Sequence, residues 1–154
     1  LRYFLYEYEL YLQDNANMKV SWEDFNKRKK EDTIEHIYPQ SPNDIYWKNR
    51  FGHLKPSEKR QYLNSLGNLL LLNRSKNSKL QNYDFDKKKC LLNKDGKEIG
   101  YYNGSYSEIE VSKHKEWTPD EIKKRGLLML QFMEERWKFS FDNWNISKED
   151  ILFP

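Results

Sequence analysis

Cysteine is nearly missing from this sequence: Cys90 is the only one in 154 residues. No disulfide can close within the chain, which fits a reducing cytoplasm, and a cysteine-based zinc finger is excluded. Long apolar runs are missing too. No stretch approaches the roughly 20 residues that a membrane helix needs. The N-terminus has no basic region with an apolar core and cleavage pattern behind it, so no secretory signal is read. The first residue is Leu1 rather than an initiating Met, and the chain is expected to be the C-terminal part of a longer protein. Internal repeats and low-complexity segments are also lacking.

What is present describes a folded chain. Charged residues make up 33% and hydrophobic residues 37%, a polar balance for a globular protein. Aromatics compensate at 16%, and disordered chains are poor in them, so an amphipathic, aromatic-rich core is expected. The length suits one domain over residues 1–154, large enough for a core without disulfide or metal staples. A net charge of +3 does not by itself indicate a nucleic-acid partner. The basic residues are clustered, in Lys27–Lys30, in Lys87–Lys89, and in Arg74, Lys76 and Lys79. Such runs are ordinarily solvated surface and become phosphate contacts only where they border a site.

Local patterns place the elements. Residues 2–13 read as a buried or amphipathic helix ended by Asp14–Asn17. Met18–Phe25 has room for a short strand, and Asn26–Asp32 reads as a polar loop. Thr33–Tyr38 reads as a short strand stopped by Pro39. Helices are expected from about Asp44 to Gly52 and from Pro56 to Leu63. After a turn at Leu66-Gly67-Asn68, the run Leu69–Leu72 suits a buried strand. Ser75 is read as the N-cap of a helix from Lys76 to about Gln81. Residues 93–114 read as irregular or hairpin structure. Thr118-Pro119-Asp120-Glu121 opens a helix reaching Trp137, and the tail beyond Lys138 shows no pattern.

Three pieces carry chemistry: Glu35-His36-Ile37-Tyr38-Pro39, then Gly67-Asn68, then Asn73–Asn77 with Gln81 behind it. A strand carrying His36, a second strand of leucines and a short helix would form a small pocket of acid, imidazole and amides. Phosphodiester hydrolysis needs a water deprotonated near neutral pH, and imidazole is the side chain whose ordinary pKa allows it. Glu35 and the Asn77 amide oxygen are hard donors suited to a divalent cation. Adjacent strand residues face opposite ways, so Glu35 and His36 can share a site only where the strand twists or ends.

The order Glu-His-x-x-Pro, then Leu-Gly-Asn-Leu-x-Leu-Leu, then Asn77 nine positions after Asn68, resembles the HNH (ββα-metal) nuclease pattern. It is most similar to the HNH-type domain at the C-terminus of GmrSD-type, modification-dependent restriction enzymes. The stretches NSKLQNYDFDK and WTPDEIKKR, with Trp117, Ile122 and Arg125, share that resemblance. The Asn68–Asn77 spacing also matches the HNH domain of RNA-guided CRISPR nucleases. The resemblance implies an α+β fold: a ββα-metal core over about residues 33–82, wrapped by flanking helices that include 118–137. It implies His36 as general base, Asn68 as structural support for the loop that orients His36, and Glu35 and Asn77 as metal ligands. Gln81 stands where some HNH enzymes carry a further histidine, which favours Mg2+ or Mn2+ over a three-histidine zinc site. The implied partner is DNA, with modified phage DNA as one candidate. Arg74, Lys76 and Lys79, which flank Asn77 at a helix start that itself favours phosphate, are the cations expected to hold its backbone. The implied setting is phage restriction in a bacterial or archaeal cytoplasm, with an N-terminal nucleotide-hydrolysing or recognition module on the longer protein.

Taken singly, these residues have plainer readings. A lone Glu-His pair is more often a satisfied surface pair, Asn68 a turn residue, and Asn77 an exposed helix start. His53 and His114 match no motif position. Trp117 reads as a core anchor, Arg125 as a helix-face ion pair, and the lysine runs as solvated surface. Two other functions stay open: a catalytically silent nucleic-acid-binding or assembly domain of the same fold, and a ribonuclease, since nothing in the sequence reads the 2′-hydroxyl.

Overall fold

A computed structural model describes residues 1–13, 23, 26–27 and 31–154 of the chain. The helix end expected at Asp14–Asn17 lies outside them. So do most of the Met18–Phe25 strand and of the Lys27–Lys30 run. Of the residues described there, Glu23 is helical rather than in a strand, and in the Asn26–Asp32 loop Asn26 and Lys27 are helical and Asp32 opens a strand. The fold divides into two compact units. One comprises residues 1–35 and 70–115, the other residues 36–69 and 116–154. The division falls within both strands, between Glu35 and His36 and between Leu69 and Leu70.

The strands are β1, Asp32–His36, and β2, Leu69–Asn73, which form a two-stranded sheet. Ile37 N–H bonds the Asn68 carbonyl at 3.0 Å, and Arg74 N–H bonds the Glu31 carbonyl at 3.0 Å. That crossed register makes the pair antiparallel. Leu70 and Leu72 are buried, so burial in the sheet overrides leucine's helical preference.

The first unit also holds α1, Arg2–Leu12; α4, Arg74–Leu80; α5, Phe85–Cys90; and α6, Tyr106–Ser112. α1 buries Phe4, Leu5, Tyr6 and Tyr8 and packs on α6. Buried Glu9 on α1 accepts from the backbone N–H of Tyr106 at 2.7 Å and of Ser107 at 2.8 Å, satisfying two donors that a helix start leaves open. α6 replaces the irregular structure expected there. Its signal is the Ser105–Glu108 capping box, which the three nearby glycines obscure. α4 starts two residues before the expected Lys76, because Asn73 rather than Ser75 is the cap: the Asn73 side chain accepts from Ser75 N–H at 3.0 Å.

The second unit holds α2, Ile45–Phe51; α3, Pro56–Asn64; α7, Pro119–Trp137; and α8, Lys148–Leu152. Asp44 caps α2 through Tyr46 N–H. The Tyr38 ring stacks on Phe51 with centroids 3.9 Å apart, and Trp47 closes edge-on against Tyr38 at 5.7 Å. Residues Leu66–Asn68 form a single 3-10 turn laid on α7. A Cβ at Gly67 would lie 1.9 Å from the Ile122 carbonyl oxygen, so only glycine allows this approach. The tail beyond Lys138 is a 3-10 turn, Phe141–Trp144, followed by α8. Among the described residues, no helix is long and apolar enough to cross a membrane.

Candidate functional site

The sequence-predicted residues fall in both units. His36 and Asn68 belong to the second, and Glu35, Asn77, Arg74, Lys76 and Lys79 to the first. His36 is the last residue of β1 and is half-buried. The strand thus ends before Pro39, as the proline predicts.

The two residues after His36 are held by Asn68, which is fully buried. Its Oδ1 accepts from Tyr38 N–H at 2.7 Å and from the Trp117 indole N–H at 3.1 Å. Its Nδ2 donates to the carbonyls of Tyr38 and Leu63, each at 3.0 Å. The amide thus uses both lone pairs and both hydrogens, the whole capacity of that side chain. Its backbone carbonyl takes Ile37 N–H. The neighbouring carbonyls, Gly67 and Leu69, both accept from Arg125 Nη1, at 2.9 and 2.8 Å. Arg125 is 1% exposed, and where a helix-face ion pair is expected it forms a buried clamp on the Asn68 turn. Its spacing of three from buried Ile122, on the apolar face of α7, was the available signal. Trp117 is fully buried, as a core anchor should be.

In the first unit, Asn77 on α4 reaches back to β1. Its Nδ2 donates to Thr33 Oγ1 at 2.9 Å and lies 3.5 Å from the Ile34 carbonyl. With the nitrogen engaged, the amide oxygen is the group left over. Thr33 and Glu35 are two apart on a strand, so their side chains share a face. Asn77 therefore meets the face of β1 that carries Glu35.

Glu35 is 4% exposed, and two donors converge on its Oε1: Lys88 Nζ at 2.6 Å and the Tyr101 hydroxyl at 3.1 Å. Lys88 and Tyr101 are both fully buried. Burial pushes the Lys88 ammonium below the usual lysine range, and the Glu35 carboxylate pulls it back up. Neither residue stood out in the sequence. Lys88 sits in a run that reads as solvated surface, yet α5 buries Phe85, Lys88 and Lys89 on one helical face, a three-and-four spacing.

The predicted cations differ in their surroundings. Arg74 and Lys79 are exposed. Lys76 is largely buried. Its Nζ donates to the Gly100 carbonyl at 2.9 Å and pairs with Glu108, so its charge is met inside the unit. Burial raises the Glu108 carboxyl above the ordinary range, and the Lys76 hydrogen bond opposes that shift. Beside Lys79 lies an open depression of about 320 Å³ lined by Asn73, Ser75, Lys76, Lys97, Glu98 and Asn103. Lys97 is exposed there and is a cation the sequence did not single out.

Among the described residues, no group of three His, Cys, Asp or Glu side chains is placed to hold a metal ion. That excludes a three-histidine zinc cluster among them. Glu35 Oε2 and Asn77 Oδ1 accept none of the bonds above, and both are hard oxygens. In kind they fit Mg2+ or Mn2+, with water completing the shell.

The architecture defines a mixed α+β protein whose short strands β1 and β2 lead into helix α4. The chain belongs to the family of GmrSD restriction endonucleases, C-terminal domain, whose model matches residues 1–132. Neither a curated protein nor a solved structure matches the chain. Membership identifies the chain as a domain of restriction endonucleases, and the activity class is that of a nuclease.

Proposed function

We propose that this domain hydrolyses DNA phosphodiester bonds with His36 as general base and a divalent cation, Mg2+ or Mn2+, held by Glu35 and Asn77. The observation that carries the reading is the Asn68 amide. Its complete set of bonds to Tyr38, Leu63 and Trp117 fixes the backbone directly after His36. An imidazole that must take a proton from water benefits from such a fixed base. Asn77, tied to Thr33 through its nitrogen, offers its oxygen from one helix, and Glu35 offers Oε2 from β1. The cation supplies charge stabilisation for the phosphoryl and leaving oxygens.

Asn68 is a structural support in this scheme and takes no part in proton transfer. Arg74 and Lys79 meet the DNA backbone, joined by Lys97, while Lys76 shapes the same depression from within. Contacts of this kind add affinity without sequence preference. The biological role is restriction of phage DNA, including modified DNA, in a bacterial or archaeal cytoplasm, with recognition supplied by an N-terminal nucleotide-hydrolysing or recognition module of the longer protein.

The test is supercoiled-plasmid cleavage with Mg2+ or Mn2+, comparing wild type with His36→Ala. Removal of the base should lower the rate by about 10²–10⁴-fold with melting temperature and DNA binding unchanged. Normal nicking by folded His36→Ala would overturn the assignment. A second reading, a catalytically silent nucleic-acid-binding domain, draws support from Lys88, which already neutralises Glu35. Metal-dependent cleavage by the wild type, abolished in His36→Ala, excludes it. An RNA substrate in the same assay tests for ribonuclease activity.

A further inference from the structure

The basic run Lys87-Lys88-Lys89 hides a residue with no surface role. Lys88 is fully buried, and its ammonium lies 2.6 Å from Glu35 Oε1. Lysines that serve solubility extend along apolar surface and keep the ammonium in water. Taking the charge out of water is unfavourable by several kcal/mol unless it is paired and hydrogen-bonded. Here the partner lies 53 residues away in the chain, on β1, so the pair is a feature of the tertiary fold.

The Tyr101 hydroxyl bonds the same oxygen from a different element, the 3-10 turn Tyr101–Asn103. Both donors therefore sit on Oε1, and Oε2 is the oxygen that remains. A carboxylate pinned in this way can give a cation one oxygen but cannot swing to embrace it with two. The cation would also share the carboxylate with an ammonium of like charge at close range, in surroundings that water does not screen.

We infer that Lys88 is a positioning residue that restricts Glu35 to a single-oxygen contact and holds divalent-cation affinity low. The inference rests on the reading that Glu35 is a metal ligand. Tyr101 supplies direction without charge, and Lys88 supplies both. A site of this design takes up its cation weakly and exchanges it readily. Removing the ammonium leaves the buried Glu35 carboxylate without the Lys88 countercharge, a role that a divalent cation at Oε2 would fill. Cation binding and folding then become linked.

The experiment compares full-chain wild type, Lys88→Met, Lys88→Arg and the double variant Glu35→Gln, Lys88→Met. Mn2+ binding is measured by calorimetry, and melting temperature is measured in EDTA and across an Mn2+ titration. Lys88→Met should bind Mn2+ at least tenfold more tightly than wild type, and its melting temperature should climb with Mn2+ far more steeply. Lys88→Arg, which keeps the charge, should stay near wild-type affinity. Should Lys88→Met be unfolded in EDTA, millimolar Mn2+ should restore its near-ultraviolet dichroism; no recovery would overturn the inference. So would a folded Lys88→Met that binds Mn2+ no better than wild type, or a Lys88→Arg that binds as tightly as Lys88→Met. Tightening that survives in the double variant would show that Glu35 is not the ligand. The reading beneath would then be at fault, a result separate from the His36→Ala plasmid assay.

Discussion

The Asn68 turn and the Glu35 pocket solve the burial of polar groups in opposite ways. Around Asn68 every partner is neutral apart from the Arg125 clamp on the flanking carbonyls, and each hydrogen-bonding position of the amide is filled. Such a network has one good arrangement, so it makes a rigid platform. Around Glu35 a buried anion meets a buried cation, with a tyrosine hydroxyl on the same oxygen. An ion pair inside a fold contributes little net stability, yet removing one partner is severe. The neutral network is thus suited to holding a backbone still. The charged one is suited to setting how strongly a further charge is received.

The largest effect separating the two is expected at Asn68. Asn68→Ala strands Trp117 Nε1, the Tyr38 amide and carbonyl, and the Leu63 carbonyl. Several unsatisfied buried groups should together lower unfolding free energy by about 3–5 kcal/mol, measured by denaturant titration. A loss below about 1 kcal/mol would mean the turn is held by Arg125 and packing instead.

A smaller change tests the charged pocket. Tyr101→Phe deletes one neutral donor and leaves the Lys88–Glu35 pair in place. A loss of about 1 kcal/mol is expected, with Mn2+ affinity shifted by no more than a few-fold. A shift as large as that of Lys88→Met would make orientation, not charge, the controlling property.

Gln81 sharpens the contrast from the surface. It ends α4 at φ +43°, in the left-handed region, and is exposed. Gln81→Gly should raise stability by about 0.5–1 kcal/mol in thermal melts and leave metal dependence unchanged. A changed metal titration would draw Gln81 into the cation's surroundings.

The smallest effect lies in the tail of the second unit. Lys148 and the Phe141 N–H hold the Glu134 carboxylate, which titrates below the usual range. A depressed carboxylate stabilises the fold above its unfolded pKa, and that contribution is lost as pH falls through the folded value. Glu134→Gln should therefore melt slightly lower than wild type at neutral pH, and the two should converge under strongly acid conditions. A gap that persists in acid would assign the effect to packing.

Several features were legible in the residues themselves. The helix over 2–13 is found at Arg2–Leu12, the strand ending near Pro39 stops at His36, and the leucine run is β2. Thr118-Pro119 opens the helix that ends at Trp137. These follow from periodicity, breakers and caps, which act over a few residues. Among the missed helices, α5 and α6 are short and lie among lysines and glycines, and α8 is a five-residue helix in the tail, where local pattern is weak. The N-cap moved from Ser75 to Asn73 because either side chain can cap, and the pairing of Arg74 with Glu31 decides between them.

The sequence by itself determined the order of the motif, the family and the chemistry on offer: an imidazole, a carboxylate, two amides and a surplus of cations. The tertiary structure decided which charges remain available. Lys88 and Lys76 look no different from Lys79 in the sequence, but their ammonium groups are taken up by Glu35 and by Glu108 with the Gly100 carbonyl. Local pattern cannot foresee this, because a lysine is stable inside a fold only when a partner from a distant segment arrives to meet it.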